Sequence, residues 1–305
     1  MFGENIFYDP TTGRLIRLLA AFVCSSALWP GVAATTDKLP PSTRKTISAK
    51  DGLSIVCEVA GRGETALIFL HGWCGDREYW KRQVDEFASE YQVVTFDQAG
   101  HGASGKDRKE WTVASLAVDV ESVVKALDLK RVILVGHSMG GSVGLAAAKR
   151  MPGRVVAVVG VDTLQNAEFK FPEETVQKLL AGFAADFPTN VRGMFAQLLP
   201  EHADPDLVKW LGSKAAAQDP KMAVALMRDL VQLDTKTLLR EAKVPVRCIN
   251  SAGGYQFYNP TLAETNRKYA DYSAVFIEHV GHYPMLEKPV EFNRQLRAVL
   301  EDFRK

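Results

Sequence analysis

A serine flanked by glycines lies between an apolar strand pattern and a helical pattern near the middle of the chain. Residues 136–140 have the pattern Gly-x-Ser-x-Gly with Ser138 at the centre; the apolar run 132–135 precedes them and a helix-forming run, 145–148, follows. A turn this tight strains the serine backbone and needs glycine-sized neighbours, so that strand and helix can approach each other. The pattern predicts that Ser138 projects a nucleophilic hydroxyl above the carboxyl end of its strand. Because such pentapeptides also arise by chance, the neighbouring motifs decide between the two interpretations.

Two backbone amides near this turn are candidates for an oxyanion hole. His71, Gly72 and Trp73 directly follow the strand-like run 66–70. Charge that develops on a carbonyl oxygen during acyl transfer is stabilised by preorganised N–H donors, one from a loop after an early strand and one from the residue after the nucleophile. We therefore assign these donors to the N–H groups of Trp73 and Met139. The alternative is that the first two residues of the loop merely end a strand.

A histidine late in the chain is the predicted base for Ser138. His282 follows the strand-like run 274–277, and a base must reach the hydroxyl from a neighbouring strand end. Its position also fits the chain order nucleophile, acid, histidine. Of the six histidines, the nearby His279 is the competing candidate.

A glycine-containing loop at 97–104 follows a further strand-like run, 93–96. Asp97 opens this loop and His101 lies within it. We predict that the loop is a rigid element beside the site, with both side chains in structural roles.

Strand and helix patterns alternate along most of the chain. Beyond residue 66 this alternation predicts βαβ units and a parallel sheet, whereas the two runs before it are close enough to form a hairpin. After residue 162 the alternation stops, and four helical patterns punctuated by prolines follow. Residues 164–233 are therefore interpreted as a helical cap. The predicted strands are 45–49, 53–60, 66–70, 92–96, 131–135, 154–161, 245–250 and 274–278. The predicted helices are 77–89, 112–127, 139–150, 173–186, 190–199, 204–216, 219–232, 260–270 and 289–303.

Together these motifs resemble the α/β-hydrolase superfamily over almost all of the chain after about residue 45. Within that superfamily, the chain is similar to small serine esterases that carry a helical cap. The resemblance implies an α/β fold: a mostly parallel, doubly wound sheet with an inserted helical cap. Relatives that open epoxides or remove halides carry aspartate at the turn, so Ser138 argues against those chemistries.

The commonest acid position of the superfamily is empty in this chain. That acid lies just after the strand preceding the last one, yet residues 246–256 contain no carboxylate. Some members place the acid one strand earlier, at the strand end beside the nucleophile turn, where this chain has Asp162. We therefore predict a triad of Ser138, His282 and Asp162. The alternatives are Glu278 or another carboxylate as the acid, or a chain without a functional acid.

The first 34 residues are predicted to be a secretory signal peptide. Two arginines precede a short apolar stretch over 18–28, and small residues end the segment, with cleavage after Ala34 or Ala33. We expect the hydrolase domain, residues 35–305, to be secreted or periplasmic, with no stable membrane span after cleavage. The alternatives are translation from a later start and an uncleaved anchor.

Charge and cysteine content exclude several other classes. Lys plus Arg is 37 and Asp plus Glu is 36, so a net charge of +1 provides no field for nucleic acid. Cys24 leaves with the predicted signal peptide, and the remaining Cys57, Cys74 and Cys248 are an odd number, which argues against a disulfide framework. No cysteine–histidine spacing suggests a metal site.

The sequence as a whole predicts a cofactor-free serine hydrolase that cleaves a carboxylic ester or related acyl compound through an acyl-enzyme. The aromatic residues of the predicted cap and its few fixed charges favour a small, mostly apolar ester-type substrate. The same fold and triad also serve C–C bond hydrolases, lactonases and perhydrolases, which differ in pocket shape. An alternative from another class is a binding protein on a catalytically dead hydrolase scaffold.

Overall fold

The chain divides into two compact units, Met1–Lys38 and Leu39–Lys305. The computed structural model describes residues 6–9, 14–17, 42–252 and 263–304. In the first unit, strands β1 (Ile6–Asp9) and β2 (Arg14–Arg17) pair in antiparallel fashion. The apolar stretch 18–28 and both predicted cleavage positions lie outside the described residues, so the signal peptide stays a prediction.

The second unit is built on an eight-stranded sheet. Its strands are β3 (Thr43–Ser48), β4 (Ser54–Ala60), β5 (Thr65–Leu70), β6 (Gln92–Phe96), β7 (Arg131–His137), β8 (Val155–Val161), β9 (Val246–Ser251) and β10 (Tyr272–Ile277). Their spatial order is β10-β9-β8-β7-β5-β6-β4-β3. Strands β5 to β10 are parallel to one another, and the β3–β4 hairpin adds an antiparallel edge. The predicted mostly parallel sheet, with its hairpin at the start, is confirmed.

Helices alternate with the parallel strands and flank the sheet. Their bounds are α1 (Lys81–Phe87), α2 (Val113–Ala126), α3 (Met139–Arg150), α4 (Glu173–Ala185), α5 (Phe187–Gln197), α6 (Pro205–Ala216), α7 (Pro220–Gln232), α8 (Thr235–Ala242), α9 (Pro284–Glu287) and α10 (Pro289–Glu301). Helix α3 packs against α2 and α8, whereas α1 packs against α10. No helix in the described part of the chain is long and apolar enough to cross a bilayer.

Helices α4 to α7 form the insertion between β8 and β9 that the proline pattern predicted. Each of α5, α6 and α7 begins after an aspartate whose carboxylate accepts a backbone N–H of the first turn, and each has a proline in that turn. This combination satisfies free N–H groups and presets the backbone for a helix. The α/β fold with a helical insertion is therefore confirmed.

Four elements differ from the sequence prediction, one of them the one-turn helix α9, where no helix was predicted. The helix predicted over 77–89 is divided: a 3-10 turn, Arg77–Trp80, precedes α1, and the Asp76 carboxylate accepts the Glu78 N–H that opens it. In place of the predicted helix 260–270, the structure has a 3-10 helix over Glu264–Lys268, and residues 260–262 lie outside the described part. Helix α8 was not predicted, because eight residues are too few to show a clear helical period.

The strand register determines where the functional loops meet. Strands β5, β7 and β8 are almost wholly buried apolar runs, as expected for parallel strands covered on both faces. Leu70 of β5 pairs with Gly136 of β7, and His137 of β7 pairs with Val161 of β8. These three strands, which are neighbours in the sheet, therefore end at nearly the same level. The residues that follow these ends therefore gather at the carboxyl edge of the sheet, where ligands of open α/β sheets bind.

Candidate active site

Ser138 occupies a strained turn between β7 and α3. Its backbone has φ 51° and ψ −119°, a conformation that costs a non-glycine residue free energy. A Cβ on Gly136 would lie 2.2 Å from the Gly140 carbonyl oxygen, and a Cβ on Gly140 would lie 2.4 Å from the Leu70 oxygen. Only glycine fits at these two positions, so both glycines of the pattern are required by the packing of the turn. The Ser138 N–H donates to the Val161 oxygen (3.0 Å), which ties the turn to the next strand.

The loop after β5 lies against this turn. A Cβ on Gly72 would lie 3.1 Å from the Ser138 Cβ, so the loop backbone passes directly beside the serine. Among the described residues, neither the Trp73 nor the Met139 N–H donates to a protein acceptor. Both amides of the predicted oxyanion hole are thus available near Ser138.

His71 supports that loop as a neutral ring. Its Nε2 accepts the Gln98 N–H (3.0 Å), so the Nδ1–H donates to the Gly72 oxygen (2.8 Å). The Gln98 side chain in turn donates to the His71 oxygen (2.7 Å). Burial lowers the pKa of His71, which favours the neutral form that these bonds need.

The structure brings His282 and Asp162 together. The His282 Nδ1–H donates to Asp162 Oδ2 at 2.6 Å, although 120 residues separate the two in the chain. This bond fixes the tautomer and leaves the lone pair of His282 on Nε2, as a base requires. The Asp162 side chain is fully buried, whereas that of His282 retains 12% exposure.

Three further donors hold the other oxygen of Asp162. The Ser251 N–H (2.8 Å), the Ser251 hydroxyl (2.8 Å) and the Gln165 side-chain amide (2.9 Å) all donate to Oδ1. Asp162 itself has φ 44°, and its N–H donates to the Ile249 oxygen (3.0 Å). These donors compensate for burial of the carboxylate and leave Oδ2 directed at His282.

Ser251 is a site residue that sequence reasoning missed. It is the last residue of β9, within the segment where the commonest superfamily acid was sought. That segment contains no carboxylate, but the hydroxyl and the N–H of Ser251 donate to the carboxylate at the end of the neighbouring strand. A polar side chain at the end of β9 was the available signal.

His137, the neighbour of Ser138, ties the Ser138 turn to the loop that carries His282. Its Nε2–H donates to the backbone oxygen of His282 (2.7 Å), and the two imidazole rings lie 4.6 Å apart. Burial, reinforced by the charge of a protonated His282, lowers the pKa of His137 well below its usual value. His137 is therefore a neutral structural donor and does not compete as a base.

The loop after β6 is held by Asp97 and its partners. Oδ1 of the buried Asp97 accepts the Arg77 N–H (2.9 Å), Oδ2 accepts the Ala103 N–H (2.8 Å), and the Arg77 guanidinium forms an ion pair with Oδ2. His101 donates through Nδ1 to the Ala99 oxygen (3.0 Å), and burial lowers its pKa to about 3. Both side chains make internal contacts and neither is bonded to the Asp162–His282 pair.

The competing candidates lie away from this pair. His279 is exposed, with a left-handed backbone (φ 56°). Glu278 is exposed as well, and its backbone oxygen accepts the Lys288 ammonium (2.9 Å).

The insertion packs on the loop that carries the Trp73 amide. The Trp73 indole N–H donates to the Ala223 oxygen of α7 (2.8 Å). Its ring lies 5.4 Å from that of Phe183, 6.2 Å from that of Phe187 and 6.2 Å from that of Phe195. Aromatic side chains of the insertion therefore pack against the loop that follows β5.

Neither a metal-binding cluster nor a reactive thiol occurs among the described residues. Within 42–252 and 263–304, no group of three or more histidine, cysteine or acidic side chains is arranged to hold a metal ion. Cys57, Cys74 and Cys248 are free and buried, and burial raises the pKa of each thiol. They are therefore poor nucleophiles near neutral pH.

A family model described as the alpha/beta hydrolase fold matches residues 65–209. Among curated proteins, the dihydrolipoyllysine-residue acetyltransferase component of the acetoin cleaving system from Pseudomonas putida is 27% identical over 260 residues. The match covers 80% of this chain and 65% of that protein, so the chain spans less than two thirds of that relative's length.

Two solved structures share the fold over their whole length. An esterase from Exiguobacterium antarcticum, EaEST, superposes with a TM-score of 0.77 at 20% identity, covering 85% of this chain and 100% of that one. The enol-lactonase from Burkholderia xenovorans LB400 superposes with a TM-score of 0.73 at 18% identity, covering 84% of this chain and 100% of that one. At these identities the likeness demonstrates a common fold.

Proposed function

We propose that this chain, which has the α/β-hydrolase fold, is a cofactor-free serine hydrolase that cleaves a carboxylic ester or a related acyl compound. The observation that carries the proposal is the 2.6 Å hydrogen bond between His282 Nδ1 and Asp162 Oδ2, beside the strained turn of Ser138. A nucleophile on such a turn, a base with its lone pair on Nε2 and a buried orienting carboxylate are the parts that acyl transfer needs.

The proposed reaction proceeds through an acyl-enzyme on Ser138. The serine Oγ attacks the ester carbonyl carbon while His282 Nε2 takes its proton, giving a tetrahedral oxyanion. The same nitrogen returns this proton to the leaving alcohol as the carbon–oxygen bond of the ester breaks. A water molecule, deprotonated by His282, then attacks the acyl carbon and releases the acid, and the proton goes back to Ser138. Asp162 holds the imidazole and stabilises its cation in both steps.

The Trp73 and Met139 amides are proposed to bind the oxyanion. The Met139 N–H belongs to the residue after Ser138, and the Trp73 N–H belongs to the loop whose Gly72 backbone passes beside the serine. Preorganised amides of this kind stabilise the transition state, and losing one such donor in other hydrolases costs about 10² to 10³ in kcat.

We propose that the insertion, predicted over 164–233, acts as a cap that lines the substrate pocket. Support comes from the rings of Phe183, Phe187 and Phe195, which surround the ring of Trp73. In this scheme the Trp73 amide faces the reacting carbonyl. Phe195 also lies 6.1 Å, between ring centroids, from Tyr283, the neighbour of the base. Aromatic walls near the acyl carbon favour a small, mostly apolar ester.

A fluorophosphonate probe is expected to label the protein once, on Ser138, because the activated hydroxyl attacks phosphorus as it attacks a carbonyl. Peptide mass spectrometry locates the adduct, and the same sample should hydrolyse short p-nitrophenyl esters. Ser138→Ala should lose both reactions while keeping the thermal melting temperature of the parent. A folded parent that is neither labelled nor active contradicts the proposal and favours a binding protein.

The alternatives within the fold differ in substrate rather than in machinery. The enol-lactonase neighbour gives a reason to include lactones beside esters and amides in a substrate panel. A binding protein on a dead hydrolase scaffold would need no functional acid, and the Asp162–His282 bond argues against that alternative.

We also propose that the enzyme is exported and that the mature chain begins near Thr35. The sequence of the leader supports this: a basic segment, a short apolar stretch and small residues before the cleavage position. Intact-mass analysis of the exported protein is expected to show loss of residues 1–34. An exported protein that retains these residues contradicts the cleavage.

A further inference from the structure

The carboxylate of Glu287 bridges the backbone N–H groups of the two residues that flank His282. The Gly281 N–H donates to its Oε2 (2.8 Å), and the Tyr283 N–H donates to its Oε1 (3.0 Å). Glu287 is the last residue of α9, which directly follows this loop. One side chain therefore holds the backbone immediately before and after the proposed base.

The remaining polar groups of the His282 backbone are held by other elements. Its N–H donates to the Leu198 oxygen at the end of α5 (2.8 Å), and its oxygen accepts the His137 Nε2–H (2.7 Å). A Cβ on Gly281 would lie 2.5 Å from the same Leu198 oxygen, so loop and insertion are in close contact. Every main-chain hydrogen-bonding group of His282 is thus restrained, and Glu287 restrains the peptides that flank it.

We propose that Glu287 is a positioning residue for the base: its two carboxylate oxygens hold the 281–283 backbone so that the His282 imidazole reaches both Asp162 and Ser138. This inference rests on the proposed serine hydrolase function. It adds a second carboxylate to the site, one that acts on the loop and not on the imidazole.

A carboxylate suits this task because it offers two equivalent acceptors to two N–H donors. Glutamine keeps one acceptor but presents an NH₂ group to the other N–H, which leaves a buried donor unpaired. Burial raises the pKa of Glu287, while the Gly281 and Tyr283 N–H groups act in the opposite direction and favour the charged form. The energetic cost of burying the acid is thus partly offset by the two bonds that hold the loop.

Glu287→Gln is expected to lower kcat for p-nitrophenyl acetate about 10- to 100-fold with KM within about twofold, because displacement of a catalytic group by about 1 Å costs up to that much. The rate of fluorophosphonate labelling of Ser138 should fall by the same factor. In a His282→Ala background, the additional Glu287→Gln change should have no effect on kcat, since Glu287 acts through the base. The matched control is Glu291→Gln in the first turn of α10, where the carboxylate pairs with Arg294 (2.6 Å).

The outcomes separate this proposal from the proposed function. A parent that is neither labelled nor active overturns both. A labelled, active parent with Glu287→Gln within twofold of it overturns positioning alone, as does an additional loss in the His282→Ala background. If Glu287→Gln does not fold, Glu287→Asp, which retains the charge but is shorter by one methylene, is measured in its place and should also lose kcat without a matching change in KM. If neither variant folds, Glu287 determines the fold rather than the position of the base, and the proposal is wrong.

Discussion

Replacing Asp162 with asparagine is expected to lower kcat by about 10³- to 10⁴-fold and to leave KM within about twofold. The loss corresponds to about 4 to 5.5 kcal/mol of transition-state stabilisation. Asparagine can still accept the Ser251 and Gln165 donors through its oxygen, but its NH₂ group then faces His282 Nδ1. The imidazole must accept there, so the proton moves to Nε2 and the base can no longer take the serine proton.

Steady-state kinetics on a short p-nitrophenyl ester, with thermal melting as the check on folding, measures this effect. Asp271→Asn is the control, because Asp271 is exposed and contacts Arg247 rather than the site. A folded Asp162→Asn protein with less than a tenfold loss of kcat excludes Asp162 from the triad.

Replacing His282 with alanine is expected to lower kcat by on the order of 10⁶, to the level left by substrate binding and the oxyanion amides. Neither of the nearby histidines can take over. His137 is directed at the backbone of the histidine loop, and His279 is exposed outside the site. Because Asp162 works only through the imidazole, the double variant His282→Ala/Asp162→Asn should be no slower than His282→Ala alone.

Residual activity of the single and double variants, corrected for the uncatalysed hydrolysis of the ester, measures this non-additivity. A double variant slower by a further 10³-fold means that Asp162 contributes independently of His282. A His282→Ala protein with more than a few per cent of parent activity means that another group is the base.

The local features of the chain, such as turns and strands, could be predicted from the sequence because they depend on residues that are neighbours in the chain. The turn around Ser138 needs glycine at 136 and 140, and the structure shows carbonyl oxygens within 2.4 Å of where either Cβ would lie. The strands could be predicted equally well, because parallel strands buried on both faces are continuous apolar segments. Short elements were harder to predict, because a helix as short as α8 has too few turns to show a clear helical period in the sequence.

The acid shows where reasoning from sequence reached its limit. The sequence predicts Asp162 as the acid only because the commonest acid position of the superfamily, within residues 246–256, holds no carboxylate. What the structure adds is the Ser251 and Gln165 donors that hold one carboxylate oxygen and the His282 ring that meets the other. Neither donor carries a signature in the sequence, because a serine at the end of a strand has many other uses.

The sequence by itself determined the nucleophile turn, the alternation of strands and helices and the helical insertion, because glycine requirements and hydrophobic periods are local properties. Only the tertiary structure decided which side chains meet. The Asp162–His282 bond joins residues 120 apart, and the contact of Leu198 with the histidine loop joins the insertion to the core. Such contacts depend on strand order and loop path, which bring distant residues to one edge of the sheet and are not encoded at either position alone.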